Sequence, residues 1–283
     1  MASVIAKILN KILKKTKPKF MDSDEEVNKF LAEKSEETPQ PVKSIFKSEE
    51  LNGRQVFTFG DEKSENAIVY IHGGAFVNEM NMQHLLYCKL MSSRLDAYVI
   101  APVYPLAPLH HADETFDLIT ELYEELLSKN YNITLMGDSA GGGFVLSFCQ
   151  YLNEIDLPQP RNTITFSPWV DVSMSNTPYD SENDSILGDV GLREIGKSWA
   201  GDWDVKDYRV SPIYGNNDNL ARSLIFAGDA EIFYKDIKKY VDSLKDSDVD
   251  VKFITGPDLF HIYPLFPIPE ASSAFKEIKN EMK

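Results

Sequence analysis

The stretch from Tyr131 into Gly137-Asp138-Ser139-Ala140-Gly141 constrains the fold of this chain more than any other. Tyr131-Asn132-Ile133-Thr134-Leu135-Met136 is short and partly apolar or β-branched, a strand pattern that ends at Gly137. From Ala140 to Leu152, Phe144, Val145, Phe148 and Tyr151 recur at helical spacing with no proline among them. The junction fits Gly-x-Ser-x-Gly, the sharp strand-to-helix turn that lifts a serine hydroxyl out of a sheet. Small residues flank Ser139 because a side chain in so tight a turn collides with neighbouring backbone. The bare motif also arises by chance in a glycine-rich helix start. The strand–turn–helix context is what gives it weight.

A second glycine segment complements the first. Ala67-Ile68-Val69-Tyr70-Ile71 is a continuous apolar run, as expected of a strand buried on both faces of a parallel sheet. It stops at His72-Gly73-Gly74-Ala75-Phe76, where backbone N–H groups approach a ligand with no side chain in the way. Alone, this is equally a flexible loop. Beside the serine turn it supplies what a nucleophilic serine needs, donors for the oxyanion that attack creates. The pair implies a serine hydrolase.

Such a serine needs a histidine base and a carboxylate that orients it. Of five histidines, His72 lies in the donor loop and His84 inside an expected helix near Leu85, Leu86 and Leu90. His110 and His111 follow Pro105-Leu106-Ala107-Pro108 and are expected to be solvated. His261 remains, just after the strand-like Val249–Ile254, where an α/β-hydrolase presents its base. The acid should follow another strand, and Ser223–Ala227 leads through Gly228 to Asp229, Glu231 and Asp236. Chemistry alone leaves Asp229 and Glu231 close to equal, with Asp236 less favoured because it lies further into the next helix.

With these residues in place, the chain resembles the hormone-sensitive-lipase-like family of α/β-hydrolases, the bacterial esterases with HGG and GDSAGG signatures. Val103-Tyr104-Pro105-Leu106-Ala107-Pro108 is similar to that family's Tyr-Arg-Leu-Ala-Pro segment, with proline for arginine, and Ser167-Pro168-Trp169-Val170-Asp171 matches a family strand end. Ser211–Gly215 and Phe260–Phe266 fall in the family's order, so the likeness spans roughly residues 50–283. It implies an α/β-hydrolase fold, a mostly parallel sheet flanked by helices with a helical cap. It also implies Glu231 as the acid, with Asp229 as alternative, and the amides of Gly73, Gly74 and Ala140 as oxyanion donors. The implied activity is hydrolysis of short-chain acyl esters through a Ser139–His261–Glu231 triad and an acyl-enzyme. A lipase for longer chains and a non-catalytic binding member of the fold are the alternatives. After Phe76 the family continues with a small turn, whereas Val77-Asn78-Glu79-Met80 follows here, which leaves the pocket shape open.

Composition sets the outer bounds. With 283 residues, 43% of them apolar, the chain can bury a sizeable core in one catalytic domain over 46–283. A net charge of −15 disfavours nucleic acid, and the expected partner is a small ester with no cofactor or metal. Cys88 and Cys149 fit reduced core thiols, no run is long enough to cross a membrane, and a cytoplasmic location is expected. Oligomeric state is open, a homodimer included. Residues 1–20 hold six lysines and no acid, so the remainder carries −21. There Val4, Ile5, Ile8, Leu9, Ile12 and Leu13 form one helical stripe, with Lys7, Lys11, Lys14 and Lys15 largely off it. Such a helix can lie on an anionic membrane surface. The preferred expectation is a cap built from residues 1–45 and a second piece inserted at about 172–210. That insertion is acidic, with Leu192, Ile195 and Trp199 on a short helix.

Overall fold

A computed structural model describes residues 1–283 except 39, 52 and 177. Its centre is an eight-stranded sheet: β1 (Ser48–Leu51), β2 (Arg54–Phe59), β3 (Asn66–Ile71), β4 (Tyr98–Pro102), β5 (Asn132–Asp138), β6 (Asn162–Phe166), β7 (Ser223–Gly228) and β8 (Val251–Gly256). The spatial order is β1-β2-β4-β3-β5-β6-β7-β8. The β1–β2 and β2–β4 pairings are antiparallel and all others parallel, each parallel crossover being helical or a long connection. Successive side chains of a strand point to opposite faces, so Ala67, Val69 and Ile71 enter one apolar layer while Ile68 and Tyr70 enter the other. Burial on both faces explains the unbroken apolar runs of β3 and β7.

Among the described residues, eight α-helices complete the fold: α1 (Val4–Thr16), α2 (Asp24–Ser35), α3 (Met82–Leu95), α4 (Ala112–Ser128), α5 (Ser139–Glu154), α6 (Asp189–Ala200), α7 (Tyr234–Asp246) and α8 (Pro269–Glu281). One layer holds core residues of α4, α5 and α7, the other those of α3 and α8. This is an α/β-hydrolase fold with a helical cap.

The cap unites α2 and the short turn Lys19–Met21 with α6 of the insertion. Gly191 makes the join possible, because a Cβ there would lie 2.5 Å from the Phe20 carbonyl oxygen. The C-cap of α1, Lys17, donates to the Ser181 carbonyl of the insertion at 2.8 Å, but the helix is anchored at its start. Its first turn is tied to the start of α8, where Glu270 accepts from the Ser3 amide at 2.6 Å and from its hydroxyl at 3.0 Å.

Strand register positions the site. Ile71 pairs with Gly137, Asp138 with Phe166, Phe166 with Phe226, and Gly228 with Gly256. Five parallel strands therefore end together, and the loops beyond them emerge along one edge, the carboxyl edge where open α/β sheets carry their sites.

Candidate active site

At the end of β5 the chain turns through Ser139 into α5, and Ser139 holds a left-handed φ of 52°. That strained backbone is what a serine on so sharp a turn requires. The Trp169 amide donates to the Ser139 carbonyl at 2.9 Å and fixes the turn from the β6 side. Ser139 Oγ lies 2.8 Å from Nε2 of His261, which follows β8. The other ring nitrogen, Nδ1, faces Glu231 Oε1 at 3.6 Å, beyond a formed hydrogen bond. Catalytic bonds of this kind are commonly long without substrate and tighten when it is bound.

Glu231 is held from its far side. Its Oε2 accepts from the Ser167 hydroxyl at 2.6 Å and from the Gly228 amide at 3.1 Å. The Ser167 oxygen in turn accepts from the Ile262 amide at 2.8 Å, so one hydroxyl links the acid to the residue after the base. Both linked backbones are left-handed, Ser167 at φ 48° and Ile262 at φ 49°. Ser167 was not singled out from the sequence as a site residue, although it opens the Ser-Pro-Trp segment at the end of β6. Asp229, the alternative acid, is brought elsewhere. It is exposed, and its Oδ1 accepts from the Asp258 amide at 2.7 Å, pinning the loop that leads to His261.

The donor loop corrects one expectation. The Gly73 amide is already engaged, donating to Asp138 Oδ1 at 2.9 Å, where the Tyr70 hydroxyl also donates at 2.6 Å. Asp138 is fully buried between the two glycine motifs, and a buried carboxylate takes such donors in place of water. Burial pushes its carboxyl up, but the nearby His84 ring, the Tyr70 hydroxyl and the Gly73 amide outweigh that and hold it below the usual range. Gly73 thus shapes the turn. Among the described residues, the amides of Gly74 and Ala75 donate to no acceptor, and Ala140 in the first turn of α5 has no intrahelical partner. Gly74 at φ 121° and Ala75 at φ 54° form a left-handed concavity of the kind that collects anions.

The remaining histidines have structural roles. His84 caps α3: its Nδ1 accepts from the Asn81 amide at 3.2 Å, and its Nε2 faces Asp138 Oδ2 at 3.6 Å. His72 is fully buried, donating from Nδ1 to the Gly73 carbonyl at 2.6 Å. Burial, reinforced by His84, pulls its imidazole down from 6.5 to about 3. His110 is half-buried against Glu114, not free in solvent as expected. His111 is exposed, yet it donates from Nδ1 to the Ser198 carbonyl of α6 at 2.9 Å.

Aromatic rings enclose the site. Phe76 of the donor loop stacks on Trp199 of α6 with centroids 4.0 Å apart, and Trp169 stacks between Phe76 and Phe233. Phe233 meets His261 edge-on at 5.3 Å. Asp184 of the insertion accepts from the Ile232 amide at 2.8 Å, joining the cap to the acid loop. Under this cover Ser139 is 6% exposed and His261 2%.

Comparison with known proteins agrees with the fold. The family profile of the alpha/beta hydrolase fold matches residues 68–265. An esterase of Acinetobacter venetianus is 31% identical over 221 residues, covering 75% of this chain and 72% of its own. The crystal structure of a candidate esterase from Staphylococcus aureus superposes with a TM-score of 0.84 at 28% identity, covering 95% of this chain and 97% of that one. A hormone-sensitive lipase from a metagenome library has the same fold, with a TM-score of 0.80 at 24% identity over 97% of this chain and 95% of its own. The chain belongs to the α/β-hydrolase family and is similar to esterases of that family.

Proposed function

We propose that the protein is a serine carboxylesterase for small, short-chain acyl esters, acting through Ser139, His261 and Glu231. The observation that carries this reading is the 2.8 Å contact between Ser139 Oγ and His261 Nε2, made by loops from separate strands, with Glu231 on the opposite ring nitrogen. His261 takes the proton of Ser139 as its oxygen attacks the ester carbonyl, and Glu231 stabilises the imidazolium that results. The amides of Gly74, Ala75 and Ala140 receive the oxyanion, helped by the positive end of α5. His261 then protonates the departing alcohol. In the second half-reaction it activates the water that releases the acid.

The small acyl group is favoured by the walls. Phe76, Trp169, Trp199 and Phe233 are buried in one stacked series that ends edge-on at His261, a bulky wall that favours a short acyl chain. Two free, buried cysteines suit a reducing compartment such as the cytoplasm. No helix among the described residues is long and apolar enough to cross a membrane.

The test is hydrolysis of p-nitrophenyl esters from acetate to palmitate, with wild type and Ser139→Ala in parallel. Activity should peak at short chains and fall by at least ~10³ in Ser139→Ala. A maximum at palmitate would overturn the substrate class, and turnover surviving Ser139→Ala would overturn the mechanism.

A further inference from the structure

The protein covers only part of the apolar side of α1. Ala2 and Ala6 are buried, and Leu9 and Leu13 pack half-buried against the layer of α3 and α8. Val4, Ile5, Ile8 and Ile12 are left more than half exposed, at 74, 54, 56 and 53%. Isolated apolar residues on a surface need no explanation, but four on one short helix do. They also continue into something. Ile5 borders an apolar groove of about 1130 Å³ whose other walls include Leu86 and Leu90 of α3, Leu265, Phe266 and Phe275.

The charge around this surface has the opposite sign to the molecule. Lys7, Lys11, Lys14 and Lys15 on α1, Arg94 on α3, and Lys276 and Lys279 on α8 are exposed. None of the seven is in an ion pair among the described residues. Helices α1 and α3 contain no acid. Of the three acids of α8, Glu277 pairs with Lys252 at 2.5 Å and Glu281 with Arg222 at 2.7 Å, while Glu270 accepts from the uncharged Ser3 and keeps its charge. On a chain of net charge −15, one face therefore carries a clear excess of positive charge beside uncovered isoleucine and leucine.

We propose that this face, formed by α1, α3 and α8, docks on an anionic lipid surface. α1 lies in the plane of the headgroups, Ile5, Ile8 and Ile12 enter the acyl boundary, and the lysines meet lipid phosphates. A basic patch and an apolar helix face are each weak anchors, and reversible membrane attachment takes both. Leu265 and Phe266 of the groove lie four and five residues after His261, so a short stretch of chain joins the docked face to the proposed base. A soluble acidic protein would satisfy the lysines but not a row of isoleucines beside an open groove. A second copy of this chain would bring a like-charged face.

Co-sedimentation of the full chain with vesicles tests this. Vesicles of equal phosphatidylcholine and phosphatidylserine should bind it, and pure phosphatidylcholine should bind it at least ~10-fold more weakly. Raising salt should release it from the former. Ile5→Ser/Ile8→Ser/Ile12→Ser, Lys7→Glu/Lys11→Glu/Lys14→Glu and Leu86→Asn/Leu90→Asn should each lower binding about tenfold. All these side chains are at the surface, so turnover of a soluble short-chain ester should be unchanged and reports that each variant is folded. The proposal is overturned by equal binding to both vesicle types, by binding to neither, or by folded variants that bind like wild type. A dimer in sedimentation velocity that dissociates in the isoleucine variant, without vesicle binding, would assign the face to a second copy instead.

Discussion

Ser167 illustrates how much of this site depends on a residue that never touches substrate. Its hydroxyl links Glu231 to the backbone after His261. A hydrogen bond to a charged group is worth about 1.5–3 kcal/mol, and each 1.4 kcal/mol off the barrier is about tenfold in rate. Ser167→Ala should therefore lower kcat about ten- to hundredfold with KM little changed, measured on a soluble ester beside a melting curve. An unchanged kcat in a folded variant would make the link decorative. At this scale the sequence was informative where one segment holds the whole signal, as at Ser139 in its strand–turn–helix. It was silent where two distant segments meet. Nothing in the letters around Gly73 says that Asp138 will occupy its amide, because that depends on β3 and β5 lying side by side.

Among the elements, α6 has the most consequence for function. Trp199 lies flat on Phe76, so the cap rests directly on the loop proposed to receive the oxyanion. Trp199→Leu removes this contact while keeping an apolar side chain, at a stability cost on the order of 2 kcal/mol. It should also loosen the acyl end of the site. The ratio of kcat/KM for octanoate over butyrate is expected to rise about tenfold. A ratio unchanged from wild type would mean that the cap does not set chain length. The main helices and parallel strands were legible because their apolar periodicity is strong. The antiparallel strand β1 was not, since Ser48-Glu49-Glu50-Leu51 is almost wholly exposed and has no alternation to read. α1 and α2 looked alike as cap material from the chain alone. Only their partners separate them, α6 for one and the start of α8 for the other.

For the whole molecule, the buried His72 sets an acid limit. Its folded pKa of about 3 lies below the ordinary 6.5, so the unfolded chain takes up the proton first. Its contribution is intact above pH 6.5 and is lost as pH falls toward 3, by up to about 1.4 kcal/mol per unit. Urea unfolding across that range should show the slope, and His72→Asn should flatten it by about that amount. Equal slopes in the two proteins would place the acid sensitivity elsewhere. The glycines around Ser139 lead to a different kind of conclusion. A Cβ on Gly141 would lie 2.1 Å from the Ile71 carbonyl oxygen, and one on Gly143 would lie 2.1 Å from that of Trp169. These glycines record how closely a helix, two strand ends and a loop are pressed together, and they have no part in proton transfer. A descendant that lost the serine hydroxyl and turned to ligand binding would still have to keep them. The glycine pattern is thus demanded by the architecture, whereas the proposed serine, glutamate and histidine are demanded only by the reaction.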